Sequence, residues 1–353
     1  MTPNLPAITG IGSVSPYGAL AGLIPENQLE PEAITSWPTA GLRRAFLVKP
    51  FRPASVVAGL KTRRLDRLSA WALVASSLAI QDAGIDLTQV DRSRVAVVFA
   101  TGLGCVELTE AFYQSAAANG WCGTDPSPFP EGLANAPASH VALWHGLRGP
   151  NITVGCKGFA GESALIQAAS LLRHGQADLA IVLAGDTLTR AVYEWYEAAG
   201  HLSPACYNAE PLPEDGGCVR GFVPAEGVAA LVLERAGPRE RRAYAHFNSG
   251  RWAAGGEAAK SVRQMLGESV PNLIICAGSA APCATGFTAA LAREIGGASS
   301  VIVPPQAVAA GLADTSAFLH LILALSNRPG TGQALLLGSS GESGFAALLL
   351  ELA

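Results

Sequence analysis

Charged side chains are scarce in this chain: 24 basic and 28 acidic residues among 353, for a net charge of −4. That balance provides no basic footprint for a phosphate backbone and no polybasic anchor, so nucleic acid is not expected as a partner. Cysteine occurs seven times, an odd number, widely spaced and never as Cys-x-x-Cys. A disulfide framework or a structural zinc site therefore has little support. No stretch reaches about 18 uncharged apolar residues, which argues against stable membrane insertion. The opening MTPNLPAITGIG lacks a basic region followed by an apolar one, so nothing marks it for export. The expected compartment is a reducing cytoplasm, with most thiols acting as small buried apolar groups.

Apolar residues make up 49% of the chain, glycine occurs 39 times, and the mean hydropathy is +0.29. This is the profile of a compact protein whose excess hydrophobicity lies in buried strands, a subunit interface or a tunnel. Short apolar runs alternate with longer helical segments, the pattern of an α/β protein. Strands are expected at 94–100, 179–184, 228–233, 273–277, 300–303, 334–337 and 346–350. They are apolar on both faces, as where helices cover both sides of a sheet. Helices are expected at 65–83, ending at Gly84, at 163–174, ending at Gly175, and at about 315–325. The polar stretch 237–240 is the expected boundary between a longer part, 1–236, and a shorter part, 237–353.

Several phrases, in order, resemble the β-ketoacyl-acyl carrier protein synthases. Ile8-Thr9-Gly10-Ile11-Gly12 through Gly18 is similar to the family's first strand and glycine turn. Leu65-Asp66-Arg67-Leu68-Ser69 is similar to the next helix, and Thr101-Gly102-Leu103-Gly104 to the turn after its second strand. The most specific stretch runs from Gly149-Pro150-Asn151 to Gly155-Cys156, then Leu172-Arg173-His174-Gly175 and Ala184-Gly185-Asp186. Gly221-Phe222-Val223-Pro224-Ala225-Glu226-Gly227 is similar to a later glycine-rich turn. The resemblance implies a thiolase-like fold, a duplicated five-layer α-β-α-β-α architecture with a shortened second half, normally assembled as a dimer. It implies no cofactor and no metal.

Condensing enzymes of this family use a cysteine to carry the acyl chain, two histidines for decarboxylation, and backbone N–H groups as an oxyanion hole. By resemblance, Cys156 falls at the nucleophile position, where a helix N-terminus, Gly155 and Lys157 are expected to favour the thiolate. As an isolated residue, Cys156 reads equally as a small buried side chain. The first histidine position is Ala277 and the second is Ala310, and an alanine cannot donate a hydrogen bond or stabilise an enolate. The closing loop, which supplies an oxyanion-hole amide and a gate, carries Gly341, Glu342 and Gly344.

Other motifs carry less. Gly161-Glu162-Ser163-Ala164 lacks the glycine a hydrolase elbow needs and reads as a helix start. Gly102 and Gly104 do not complete a dinucleotide fingerprint. His174 reads as a helix cap and Glu226 as structural. What the resemblance implies is a chain-length-factor subunit that pairs with an active ketosynthase as a heterodimer. That subunit would shape the acyl tunnel during polyketide, aryl polyene or fatty-acid elongation, with acyl carrier protein as the other partner. The alternative is an atypical Cys156-dependent acyltransferase or condensing enzyme. A complete condensing enzyme acting alone is not expected.

Overall fold

The computed structural model describes all residues except 1–4, 26–28, 38–40, 208–220, 236–241, 278–281, 304–308, 310, 328–330 and 341–343. Its 11-stranded sheet is built around two sets of strands. The first comprises β1 (Ala7–Ser15), β2 (Val95–Ala100), β3 (Asn151–Val154), β4 (Leu179–Asp186) and β5 (Gly227–Glu234). The second comprises β6 (Ala245–Ala253), β7 (Leu273–Cys276), β8 (Val301–Val303), β9 (Gly332–Ser339) and β10 (Phe345–Leu352). The remaining strand, Gly18–Ala21, pairs with β1.

The first set is ordered β3-β2-β4-β5-β1 and the second β8-β7-β9-β10-β6. In both, the third, second and fourth strands are parallel, and the fifth and first join antiparallel. Matching order and direction identify a duplicated unit, although the sequence shows no tandem repeat. The sets meet edge to edge through two residue pairs, Ala7↔His246 and Ile8↔Ala245.

The helices complete five layers. They are α1 (Arg67–Asp82), α2 (Val106–Asn119), α3 (Ala136–His145), α4 (Ala160–Arg173), α5 (Arg190–Ala198), α6 (Ala258–Leu266), α7 (Pro282–Ile295) and α8 (Ala317–Asn327). On one outer face α1 packs against β1, β4 and β5, and on the other α6 and α7 cover β6, β7, β9 and β10. Between the sets lie α4, touching β2, β4, β6 and β10, and α8, touching α4, β5, β7 and β9. A helix flanked by sheets on two sides must be apolar all round. Accordingly α8 is buried without interruption from Ala317 to Leu325, and α4 meets the sheets through Ala160, Ala164, Ala168 and Ala169. These inner layers absorb the excess hydrophobicity.

The expected strands and helices are present, with shifted ends. The helix expected from 163 begins at Ala160, and the one expected from 315 begins at Ala317 after a tight turn, Ala313–Thr315. The second half, although shorter in sequence, carries the same five-strand set, with β7 and β8 of 4 and 3 residues. The boundary proposed at 237 lies between Glu234 and Ala245, in a stretch (236–241) outside the described residues. Among the described residues no helix is long and apolar enough to cross a membrane.

The approach of α1 to β1 explains the first glycine turn. A Cβ at Gly12 would lie 2.2 Å from the Ala75 carbonyl oxygen of α1, far inside contact distance. Gly12→Ala must push α1 off the sheet. Overpacking of this kind typically costs about 1–3 kcal/mol, so urea denaturation should show an unfolding free energy lower by that margin, seen as a lower midpoint at an unchanged slope.

Candidate active site

Asn151–Val154 ends at a loop, 155–159, that leads into α4. Phe159 occupies the N-cap without a side-chain cap, and Glu162 lies in the first turn, where a carboxylate suits the exposed amides. Gly158 adopts φ +88°, and a Cβ there would sit 2.4 Å from the Ser340 Cα, so this loop lies directly on the start of the closing loop. Its N–H donates to Asp314 Oδ1 at 2.6 Å, and Lys157 Nζ bridges Asp314 Oδ2 at 3.3 Å and the Gly102 carbonyl at 3.1 Å. Asp314 stands in the turn before α8, next to Ala313, the one described non-glycine residue with positive φ (49°). Backbone strain of that kind is held in place by the packing around it.

The Thr101–Gly104 turn encloses a carboxylate. Asp186, at the end of β4, accepts from Thr101 Oγ1, Gly102 N at 3.1 Å, Leu103 N at 2.9 Å and Thr315 Oγ1 at 3.2 Å. Burial nonetheless pushes its carboxyl up to about 6. The loop glycines therefore organise an internal acid. Glu226 has the structural role expected of it, accepting from Val48 N at 3.1 Å and Leu188 N at 3.2 Å and pairing with Arg67 at 2.9 Å.

Cys156 is half-buried, four residues before the first residue of α4. Its Sγ lies 3.7 Å from Ser163 Oγ and accepts from the Phe159 N–H. Ser163 Oγ in turn accepts from Trp252 Nε1 at 2.9 Å. The expectation that Gly155 and Lys157 would lower the thiol's pKa is not met. Burial raises it, the two donors oppose that rise, and Glu162 and Asp314 add to it, while Lys157 is engaged by Asp314.

The other expected positions fall as follows. Ala277 is 2% exposed, its N–H donates to Leu337 O at 2.8 Å, and it packs in the apolar core that also contacts Cys156. Gly344 accepts from Ser340 N at 3.0 Å, and its Cα faces the Phe159 ring. Ala310, Gly341 and Glu342 lie outside the described residues. The histidines take other partners: His140 with Glu131 at 2.5 Å, His145 with Ser76 at 3.2 Å, and His174 with Ser170 O at 2.9 Å, capping its helix as expected. His320 is buried in α8, its Nδ1 at 3.0 Å from Ser316 O.

Sequence reasoning missed Glu162, Ser163, Trp252 and Asp314. The first two were visible only as a helix start. Asp314-Thr315-Ser316 before an apolar helical run was the available signal for a polar helix entry.

Glu162 is 1% exposed, and its Oε1 has no hydrogen-bond partner. Burial pushes this carboxyl up to about 8. A carboxyl whose pKa is raised on folding stabilises the fold below its unfolded value, and that contribution is lost as pH rises through the folded value. His145 and His320, both pushed down to about 4 by burial, have the opposite slope between 4 and their ordinary value of about 6.5. Between 6.5 and 8, above the histidines' window, Glu162 contributes a fall in stability. Stability should fall across this window more steeply in the unsubstituted chain than in Glu162→Gln, as read by thermal melts at matched ionic strength.

Comparison with known proteins supports the duplicated fold. The model "Beta-ketoacyl synthase, N-terminal domain" matches residues 25–238. The chain is 27% identical over 248 residues to 3-oxoacyl-[acyl-carrier-protein] synthase 2 of Vibrio harveyi, covering 66% of this chain and 58% of that protein. It is 31% identical over 269 residues to putative polyketide beta-ketoacyl synthase 1 of Streptomyces cyaneus, covering 71% of this chain and 63% of that one. The matched region thus spans less than two thirds of these relatives. Among solved structures, the ishigamide ketosynthase/chain length factor superposes with a TM-score of 0.74 at 22% identity, covering 99% of both chains. A β-ketoacyl synthase from Burkholderia phymatum STM815 gives 0.78 at 16% identity, covering 99% of this chain and 100% of that one. With the family model covering more than half the sequence, the chain belongs to the β-ketoacyl synthase family.

Proposed function

We propose that this chain is a chain-length-factor-type subunit, pairing with an active ketosynthase and shaping the acyl tunnel during polyketide, aryl polyene or fatty-acid elongation. The observation that carries this reading is Ala277. By resemblance a catalytic histidine belongs there, and the position holds a packed methyl group with no proton to give. Without that imidazole the carbanion formed on decarboxylation has no donor from this position. Ala310, Gly341 and Glu342 belong to the same reading as replaced or altered positions. The chain would meet acyl carrier protein through its ketosynthase partner, in the cytoplasm, where the five described free cysteines stay reduced.

A partner surface suited to this role is present. β3 ends the first strand set and has β2 as its one neighbour among the described residues, leaving its outer edge open. Nearby, Phe112 of α2 packs against Tyr113, Trp121 and Phe129, of which Trp121 is 69% and Phe129 54% exposed. The turn carrying Phe129 packs on both α2 and α3, and α3 adds Leu143 at 77% exposure. Clustered exposed aromatics of this kind are typical anchors of a protein interface. Co-expression with ketosynthases encoded beside it should yield a 1:1 complex. Trp121→Ala with Phe129→Ala should weaken that complex at least about tenfold while leaving the thermal midpoint unchanged. Purification as an active homodimer would overturn the assignment.

One observation favours a second reading, an acyl transfer through Cys156. Its sulfur is half exposed and held by the Phe159 N–H and the Ser163 hydroxyl. Intact mass after incubation with acyl-carrier protein thioesters separates the two readings. A stable adduct absent from Cys156→Ala supports transfer, and an unmodified chain supports the purely structural subunit.

A further inference from the structure

Trp252, on β6 of the second strand set, reaches Ser163 on α4, and Ser163 in turn reaches the Cys156 sulfur. Trp252, on β6, has an indole N–H that can only donate, and it points at Ser163 Oγ from 2.9 Å. That occupies an acceptor position of the hydroxyl and leaves its proton free for another partner. The Cys156 Sγ is 3.7 Å away, a sulfur hydrogen-bond distance. Ser163 sits at the start of α4 and is 6% exposed, so solvent does not compete for that proton. The Phe159 amide also favours the charged form of the sulfur.

Facing this arrangement is Glu162, next in the chain and 1% exposed, with Oε1 unpartnered. A Cβ at Gly338 would fall on that oxygen, so the carboxyl is held against the end of β9. Among the described residues, the other charged groups facing the loop are Asp314 before α8 and Lys157 of the loop itself, and these pair with each other at 3.3 Å.

We propose that Ser163 is a positioning residue for Cys156, its hydroxyl oriented by the Trp252 indole so that it donates to the sulfur and stabilises the thiolate. Glu162 is its counterweight: when it ionises, it opposes negative charge on the sulfur. The two neighbours on α4 thus act on Cys156 with opposite sign, and the donor's orientation is set by the second half of the chain. This inference rests on the second reading, in which the Cys156 sulfur takes part in chemistry, and its test does not need acyl transfer to occur.

The test is the pH dependence of Cys156 alkylation by iodoacetamide in the full-length chain, followed by mass spectrometry of the Cys156 peptide so that the other thiols do not contribute. Ser163→Ala should move the midpoint up by about one pH unit, since a hydrogen bond to a charged group is worth about 1.5–3 kcal/mol. Trp252→Phe, which keeps a ring but removes the donor, should move it up by less. Glu162→Gln should move it down. Profiles for Ser163→Ala and Trp252→Phe that superpose on the unsubstituted chain would overturn the proposal, as would no alkylation of Cys156 at any pH up to 10. If the midpoints shift as expected while acyl thioesters leave no adduct, the positioning role stands and the acyl-transfer reading falls.

Discussion

The 2.6 Å bond from the Gly158 amide to Asp314 joins a loop of the first strand set to a turn of the second. Three other contacts cross the same seam: Lys157 to Asp314, Thr315 to Asp186, and Trp252 to Ser163. Each places one partner on either side of the duplication, so the site exists only when the halves are docked. Docking in turn depends on α4 and α8, whose apolar surfaces must face a sheet on both flanks. The carboxylates that hold the seam are consequently buried. Desolvation, more than any single charge, sets the behaviour of Asp186, Glu162 and Cys156.

This ordering of effects decides how Cys156 should be understood. A neighbouring ammonium lowers a thiol's pKa when its charge is not already paired and its attraction outweighs the desolvation of the thiolate. Lys157 is spent on Asp314, and the sulfur is half-buried. Two directed donors remain, and they work against burial without overcoming it. The arrangement suits a thiol that is oriented but not strongly ionised.

The sequence made the central strands legible because β2, β4 and β5 are buried almost throughout, and runs such as VAVVFA have few other readings. It hid β6. Asn248, Ser249 and Gly250 resemble a turn, yet Ser249 and Gly250 pair with β10 in a half-exposed strand, with Asn248 at a bulge beside them. Cys156 could be singled out because the family phrase leading to it from Gly149-Pro150-Asn151 survives, whereas Ala277 rests only on its place after the strand Leu273–Cys276. Ser163, Trp252 and Asp314 could not, because their significance lies in contacts between residues far apart in sequence, at 89 and 156 positions' separation. Local pattern carries no signal for such convergence. Glu162 was visible, but the unpartnered state of its buried Oε1 is a property of the packed interior alone.

The position of β1 has a consequence for how the chain comes to be folded. Its residues are the first described, yet its sheet neighbours are β5, where Ile11 faces Leu231, and β6, where Ile8 faces Ala245. Ribosomes add about 5–20 residues per second, so β1 waits on the order of ten to forty seconds for its partners to be made. Throughout that interval nine residues that end buried lack β5 and β6 as partners. Early protection by a chaperone, or by the Gly18–Ala21 hairpin that pairs with β1 immediately, thus becomes part of the cost of placing the first strand at the centre of the sheet.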